Sequence, residues 1–334
     1  MNGVSPAAKA AQKPAPKAGR VLRWKNAGLF AVLVLLALPP FFVDDYIQFI
    51  LDLILVYVMV SVGFNIVLGY AGQLAFANAA FFGLGAYAMA LCLGRFHWPF
   101  AAALVTAAGV GGGAGLLVSL PALRLRAYYL AIVTLAFGEL LRWGYVHASS
   151  LTHGSAGLAV PAAGVFGLHF ATDRARYWLF LVLVALTLWG SANLLRSRFG
   201  RSLAAVRDNE AAAAAIGVSP ALAKIGAFSW SGSIVALGGA MYALLLGRIS
   251  PESFGLSQLL LHFSIVMIGG LGSLLGSVLG AVILTAAPEL LRDIPGLEEI
   301  LFGVLLIAVL LFMPKGVAGV LGRFSLLRER LYLS

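Results

Sequence analysis

Apolar stretches long enough to cross a lipid bilayer recur from one end of this chain to the other. A bilayer core of about 30 Å needs roughly 20 residues of α-helix. The stretches at 27–43, 47–68, 74–94, 99–120, 128–146, 177–195, 225–247, 257–270, 274–291 and 299–313 meet or approach that length, with 257–270 the shortest. Backbone polar groups find no water in the bilayer core, so each stretch must satisfy its own N–H and C=O groups as a helix. Only 11% of the residues are charged against 61% hydrophobic, too few charges to cover a soluble domain of 334 residues. The expected fold is all-α: a polytopic integral membrane protein with about ten transmembrane helices.

The net charge of +10 reports topology. With the basic tail before Ala27 placed in the cytoplasm and the spans threaded alternately, 17 of the 23 Lys and Arg fall on the cytoplasmic side. They are Lys9, Lys13, Lys17, Arg20, Arg23 and Lys25 in the tail, Arg124 and Arg126, the five from Arg196 to Lys224, and Lys315, Arg323, Arg328 and Arg330. Arg95, Arg142, Arg174, Arg176, Arg248 and Arg292 lie outside or near the outer end of a span. This bias orients membrane proteins, so the charge points to the lipid bilayer and not to nucleic acid. Both termini are expected in the cytoplasm, as an even number of spans requires. Residues 1–26 read as a disordered basic tail, 27–318 as the transmembrane domain and 319–334 as a second basic tail. The run Leu38-Pro39-Pro40-Phe41 offers no small-residue cleavage site, which disfavours a cleaved signal peptide. Cys92, the single cysteine, sits in an apolar run and reads as a buried thiol.

Two polar stretches interrupt the spans. His147 to Arg176 mixes glycines with apolar residues and reads as an external loop holding a short interfacial or re-entrant piece. Arg196 to Lys224 is the long cytoplasmic loop, with an Ala-rich helix candidate inside it. Leu203, Val206, Glu210, Ala213, Ala214 and Gly217 recur there at helical spacing, giving a small and apolar face suited to a partner's groove, with Arg207 and Asp208 beside it. Arg207 stands one turn before Glu210, so those two can pair with each other or with a partner. Gly217 is where the helix should turn into the next span.

Glycine also clusters at 109, 111, 112, 113 and 115, baring a helix face for close approach. The segments Gly69-Tyr70-Ala71-Gly72-Gln73 and Gly269-Gly270-Leu271-Gly272-Ser273 both stand where a span should end at the cytoplasm. Paired glycine interruptions can mark a substrate path, or the two segments are ordinary tight turns. Asn65, Gln73 and Asn78 surround the first, and Glu139 lies in the fifth span, three residues from Arg142. Intramembrane polar groups are costly and therefore candidates for function, so Asn65, Gln73, Asn78 and Glu139 are candidate path residues. Glu139 can equally be a structural partner of Arg142, while Asp52 and His262 fit structural roles.

Nothing in the chain marks an enzyme. No Lys follows Gly or precedes Ser or Thr, so there is no P-loop. No His opens an H-E-x-x-H zinc motif, no Ser sits in a G-x-S-x-G elbow, and one Cys with scattered His gives no metal spacing. The chain is expected to hold no metal and no cofactor of its own.

Four segments resemble a known family. They are Gly69-Tyr70-Ala71-Gly72-Gln73-Leu74 followed by Ala79-Ala80-Phe81-Phe82-Gly83-Leu84-Gly85-Ala86-Tyr87; the run from Leu123 through Tyr128-Tyr129-Leu130 to Phe137-Gly138-Glu139; Arg198-Phe199-Gly200-Arg201 through Arg207-Asp208-Asn209-Glu210 to Ile216-Gly217; and Met267-Ile268-Gly269-Gly270-Leu271-Gly272-Ser273 with Met313-Pro314-Lys315-Gly316. Together, from about Gly63 to Gly319, they resemble the membrane permease subunit of branched-chain amino acid ABC importers. The general importer pattern of Glu-Ala-Ala, three residues and Gly is off by one, because Gly217 stands one residue too far from Glu210. Ala214 occupies the place where a second acidic residue often falls in that family.

The resemblance implies a passive path completed by a homologous permease subunit. Two cytoplasmic ATPase subunits would carry ATP-Mg, and an extracytoplasmic substrate-binding protein would deliver the cargo at the bacterial inner membrane. Arg201, Arg207, Asp208, Asn209, Glu210, Ala214 and Gly217 would then form the ATPase-coupling loop. Urea or short-chain amides are the alternative cargo within the family. A stand-alone secondary transporter or channel is the rival of another class, and it would need a coupling-ion site.

Overall fold

The computed structural model describes residues 44–125, 127–161, 164–165, 168–169, 173–290, 303 and 316–321. All belong to the unit spanning 43–334, the other unit being 1–42. The expected span at 27–43 and the tail before it lie outside the described residues. So does the span at 299–313 except Gly303, and so does all but 319–321 of the C-terminal tail.

The apolar stretches form helices: α1 (Asp45–Asn65), α2 (Asn78–Gly94), α3 (Phe100–Ala122) and α4 (Ala127–His147), then the single turn α5 (Ser149–Thr152). After it come α6 (Asp173–Arg196), α7 (Arg198–Asp208), α8 (Glu210–Ala215), α9 (Pro220–Leu246), α10 (Leu256–Gly269), α11 (Leu274–Leu290) and the short α12 (Gly316–Leu321). Among the described residues, four helices are long and apolar enough to cross a membrane, at 45–70, 100–122, 174–196 and 220–246. Those at 78–94, 256–269 and 274–289 are apolar but shorter. The stretch at 74–94 loses its first turn because residues 74–77 stay outside the helix, where the Phe76 N–H donates instead to Thr134 Oγ1 on α4, 2.7 Å away.

The core forms around α1 and α9. α9 packs against α1, α2 and α3, and α1 is further covered by α6, α10 and α11. Local chemistry sets the limits of α9. Ser219 caps its first turn by accepting from the Leu222 N–H, Pro220 stands at the start, and Gly247 ends it at φ +67°. The glycine-rich face of α3 is used selectively. A Cβ at Gly111 would lie 2.3 Å from Gly232 O, and one at Gly115 would lie 2.2 Å from Phe228 O, both on α9. Around Gly109 and Gly113 there is open space. The helices therefore touch along the i, i+4 row of Gly111 and Gly115, with Gly112 beside it against Ser233 Oγ, while Gly109 and Gly113 play no part in the contact.

The segment from His147 to Arg176 contains α5, a 3-10 turn at Gly154–Ala156 and three two-residue strands, β1 (Leu158–Ala159), β2 (Gly164–Val165) and β3 (Leu168–His169). β1 pairs antiparallel with β4 (Arg248–Ile249) just after α9, and β2 pairs with β3. No strand was expected here, because two-residue pairings leave no alternating pattern to read. Cys92 is a free, buried thiol, packed with Met89, Phe100 and Ala107.

The α3–α9 contact predicts a sharp positional contrast. Gly232→Val places side-chain carbon within 2.2 Å of Gly111 O, an overpacking that costs about 1–3 kcal/mol. It should lower thermal stability of the detergent-purified protein, read as loss of the monodisperse chromatography peak on heating. Gly113→Ala should leave that curve unchanged.

Candidate coupling and translocation site

The two glycine turns are built against each other. α1 does not stop at Asn65 but widens into a π-turn, Ile66–Tyr70, whose end is marked by the Ala71 N–H donating to Ile66 O at 2.9 Å. π-Turns inside helices frequently sit at functional sites. Asn65 is fully buried, and its amide faces the second turn at both ends. Nδ2 lies 2.8 Å from Ser277 Oγ, 3.1 Å from Ser273 O and 3.3 Å from Gly270 O, while Oδ1 accepts from the Gly272 N–H at 2.9 Å. A Cβ on Gly69 would fall 1.9 Å from Asn65 Oδ1 and 2.3 Å from Gly272 N. Only glycine at 69 permits this approach. Gln73 closes its own turn, with Nε2 donating to Ala71 O at 3.3 Å.

Asn78 opens α2 and is buried. Its Nδ2 is 3.0 Å from His262 Nδ1, and Gln258 Nε2 is 3.0 Å from His262 Nε2. A neutral imidazole offers one donor and one acceptor, so one of these two amides turns its oxygen to the ring. Phe82 and Tyr57 pack edge-on against the same ring. Beside Asn78 lies a cavity of about 10 Å³, bordered by Phe64, Val67, Ala75 and Ser231 among others. That is room for no more than about one water. Asp52 is also fully buried and is bridged at 3.0 Å by Arg176, which joins α1 to α6.

Glu139 stands apart from these residues. It accepts from Arg142 Nε at 2.9 Å, and both side chains stay nearly half exposed, 46% and 42%. They share α4 with exposed Tyr128, Tyr129, Ile132, Leu140 and Trp143. The expected Glu139–Arg142 pair is present, on an otherwise apolar, uncovered face.

The polar loop departs from the single helix expected. It breaks at Asn209, which is extended (φ −161°, ψ 110°) and caps α8 by accepting from the Ala212 N–H at 3.0 Å. Asn prefers such cap positions because its side chain satisfies an orphan backbone donor. Glu210 therefore starts the second helix instead of lying in the middle of one. The Arg207–Glu210 pairing also does not form. Glu210 takes Lys224 Nζ at 2.8 and 2.9 Å, and that buried ammonium also donates to Ala122 O at the end of α3, 3.2 Å away. Arg207 Nη1 donates to Gly69 O in the first glycine turn, across the break from Glu210. The face expected to be open is divided. Leu203, Val206 and Ala213 are buried, whereas Glu210, Ala214 and Gly217 are exposed. The exposed set continues through Ala211, Ala212, Ala215 and Ile216. Gly217 has φ +86° and open space around it, as a turn into the next helix requires. Arg201 and Asp208 are exposed, with Arg201 Nη1 donating to Arg196 O at 3.4 Å.

Lys224 is the functional candidate that sequence reasoning missed. A lysine four residues past the start of an apolar helix is the signal, since a buried ammonium needs an acidic partner. Among the described residues no group of three or more His, Cys, Asp or Glu could hold a metal.

Residues 46–313 match the family model for the permease component of the branched-chain amino acid transport system. The chain belongs to that permease family. It is 33% identical over 312 residues to the high-affinity branched-chain amino acid transport system permease protein LivM of Salmonella typhimurium, covering 86% of this chain and 73% of the relative, and equally so to LivM of Escherichia coli. It is 25% identical over 289 residues to the permease protein LivH of Escherichia coli, covering 79% and 91%. No solved structure matches. In this permease the matched region contains both glycine turns, α4 and the whole polar loop.

The Glu210–Lys224 bridge yields a test of the loop. Glu210→Lys puts a like charge against a buried ammonium and should release α8 from α9, so elastase, which cuts after small residues such as the alanines of α8 and gains no site from the substitution, should cut the loop faster in the purified permease. Glu210→Gln should give an intermediate rate. Unchanged cleavage in both variants would mean the bridge does not hold the loop.

Proposed function

We propose that this permease forms, with a homologous permease subunit, the path by which a bacterial ABC importer takes up branched-chain amino acids across the cytoplasmic membrane. Its relatives LivM and LivH, both permease proteins of high-affinity branched-chain amino acid transport, support two unlike permeases in one complex. The chain crosses the membrane about ten times with both termini in the cytoplasm. Two ATPase subunits bind ATP-Mg and dock on its cytoplasmic side, and an extracytoplasmic binding protein delivers the substrate. The permease itself catalyses nothing. It supplies a path whose access alternates as the ATPases bind and hydrolyse ATP.

The observation that carries this reading is the divided loop. One side of α7 and α8 is packed on the helices that form the core, and the other side offers Ala211, Ala212, Ala214, Ala215 and Ile216, the last 77% exposed. Small residues on a short, firmly based helix suit insertion into a groove of a partner. Coupling thus falls to exposed Ala214, Ile216 and Gly217, with Asn209 and Glu210 setting the pose of α8. On the path side, the uncovered face of α4 with Glu139 and Arg142 is where the second permease and the substrate meet this chain. A charge pair on a lipid-facing surface at that depth would be costly, whereas a path between two subunits is wet.

The decisive assay is uptake by proteoliposomes holding both permeases and both ATPases, with binding protein outside and ATP inside. Leucine, isoleucine or valine should accumulate only with all parts present, and Glu139→Gln should lower uptake while leaving the amount of assembled complex unchanged. Uptake of urea or an amide but of no branched-chain amino acid would overturn the substrate assignment. Uptake by this chain without the ATPases would overturn the importer assignment.

A further inference from the structure

The exposed surface of the loop accounts for docking, but it leaves open how a push on α8 would reach the path. Arg207 lies in the last turn of α7, immediately before the break at Asn209. Part of its side chain is exposed, yet the guanidinium turns inward. Nη1 donates to Gly69 O. A Cβ on Gly72 would lie 2.8 Å from Arg207 Cγ, and one on Gly272 would lie 3.0 Å from Nη1. Gly72 and Gly272 both have positive φ, +65° and +74°. One glycine from each turn therefore flanks a single arginine side chain. Asn65 bonds the two turns to each other beneath it.

We propose that Arg207 is a positioning residue for transport, seated between the two glycine turns so that movement of the loop is passed directly to the ends of α1 and α10 and the start of α11. This rests on the import reading above. Glu210 and Lys224 anchor α8 to α9 and α3, and Asn209 forms an extended joint between α7 and α8. A load on α8 turns α7 about that joint, and on the α7 side the polar side chain nearest the joint with a hold on the core is Arg207. Its guanidinium grips a carbonyl at the C-terminal end of α1, where the helix dipole favours a cation. Because Asn65 bonds the turns together, pulling on Gly69 also moves Gly270 to Ser273. Arg207 therefore acts through the glycine turns and not through contact with the ATPase.

The test compares Arg207→Ala and Arg207→Lys in the full complex, reconstituted with both permeases, both ATPases and binding protein. Arg207→Ala should keep its ATPase subunits on co-purification and keep basal ATP hydrolysis. Uptake and the stimulation of hydrolysis by loaded binding protein should fall on the order of tenfold, the scale of one charge-assisted hydrogen bond. ATP hydrolysed per substrate carried should rise, which a loss of folded protein would not produce. Arg207→Lys, which still offers a cationic donor, should restore much of the coupling. Uptake by Arg207→Ala equal to wild type would overturn the proposal, and so would loss of the ATPase subunits from that variant, which would place Arg207 on the docking surface. A second readout needs no substrate: Gln73→Cys, in the first turn, should react slowly with a maleimide in the otherwise unaltered permease and several-fold faster with Arg207→Ala. Equal rates would sink the link even if import stands, whereas a wild-type complex without uptake would sink the import reading and leave this labelling test in force.

Discussion

The buried amide of Asn65 holds together the part of the structure on which the rest of the site depends. A buried polar group left without partners costs about 1–3 kcal/mol, and in a membrane interior no water can substitute. Asn65 meets that demand with both ends of its amide, on Gly270, Gly272, Ser273 and Ser277. Two turns 200 residues apart in sequence thereby become one unit. The absence of a side chain at Gly69 lets them close to van der Waals contact. Everything the loop touches through Arg207 is attached to that unit.

Two further buried polar groups in the helices are tied to partners in the same way, whereas one exposed pair that points to function is not. Asp52 has Arg176, and His262 has Asn78 and Gln258. Each pairing joins separate stretches of chain or locks an aromatic cluster, and each is buried. Glu139 and Arg142 pair only with a neighbour on their own helix and remain open. Three side chains that tie up backbone donors, Ser197, Asn209 and Ser219, divide the loop and the following span into helices of defined length. The loop is thus a jointed arm with a fixed base, its inner face sealed by Leu203, Val206 and Ala213.

Much of this was legible in the sequence because hydrophobic runs and glycine positions act locally. The helix limits of α3, α4, α9, α10 and α11 lie within a few residues of the apolar stretches, and Gly217 adopts the positive φ its place at a helix end implied. The Glu139–Arg142 pair was legible because i, i+3 spacing on a helix is a local fact. The break at Asn209 was not read, since Ala-rich flanks favour one continuous helix and the capping role of a lone Asn was outweighed. The choice of Lys224 over Arg207 as the partner of Glu210 was hidden as well: it depends on the joint turning α8 toward α9, which is tertiary geometry. Periodicity likewise could not say that the two glycine segments meet: they lie far apart in the chain, and the sequence marks Asn65 as a candidate path residue without showing that its amide bonds them.

Hydrogen exchange over the second glycine turn tests this account most directly. In the purified permease the Gly272 N–H is held by Asn65 Oδ1, so peptides spanning 269–277 should exchange slowly. Asn65→Ala should raise exchange there while leaving peptides from the middle of α9 protected, which controls for global unfolding. Unchanged exchange across 269–277 in a folded Asn65→Ala permease would contradict the claim that this amide binds the two turns into one unit.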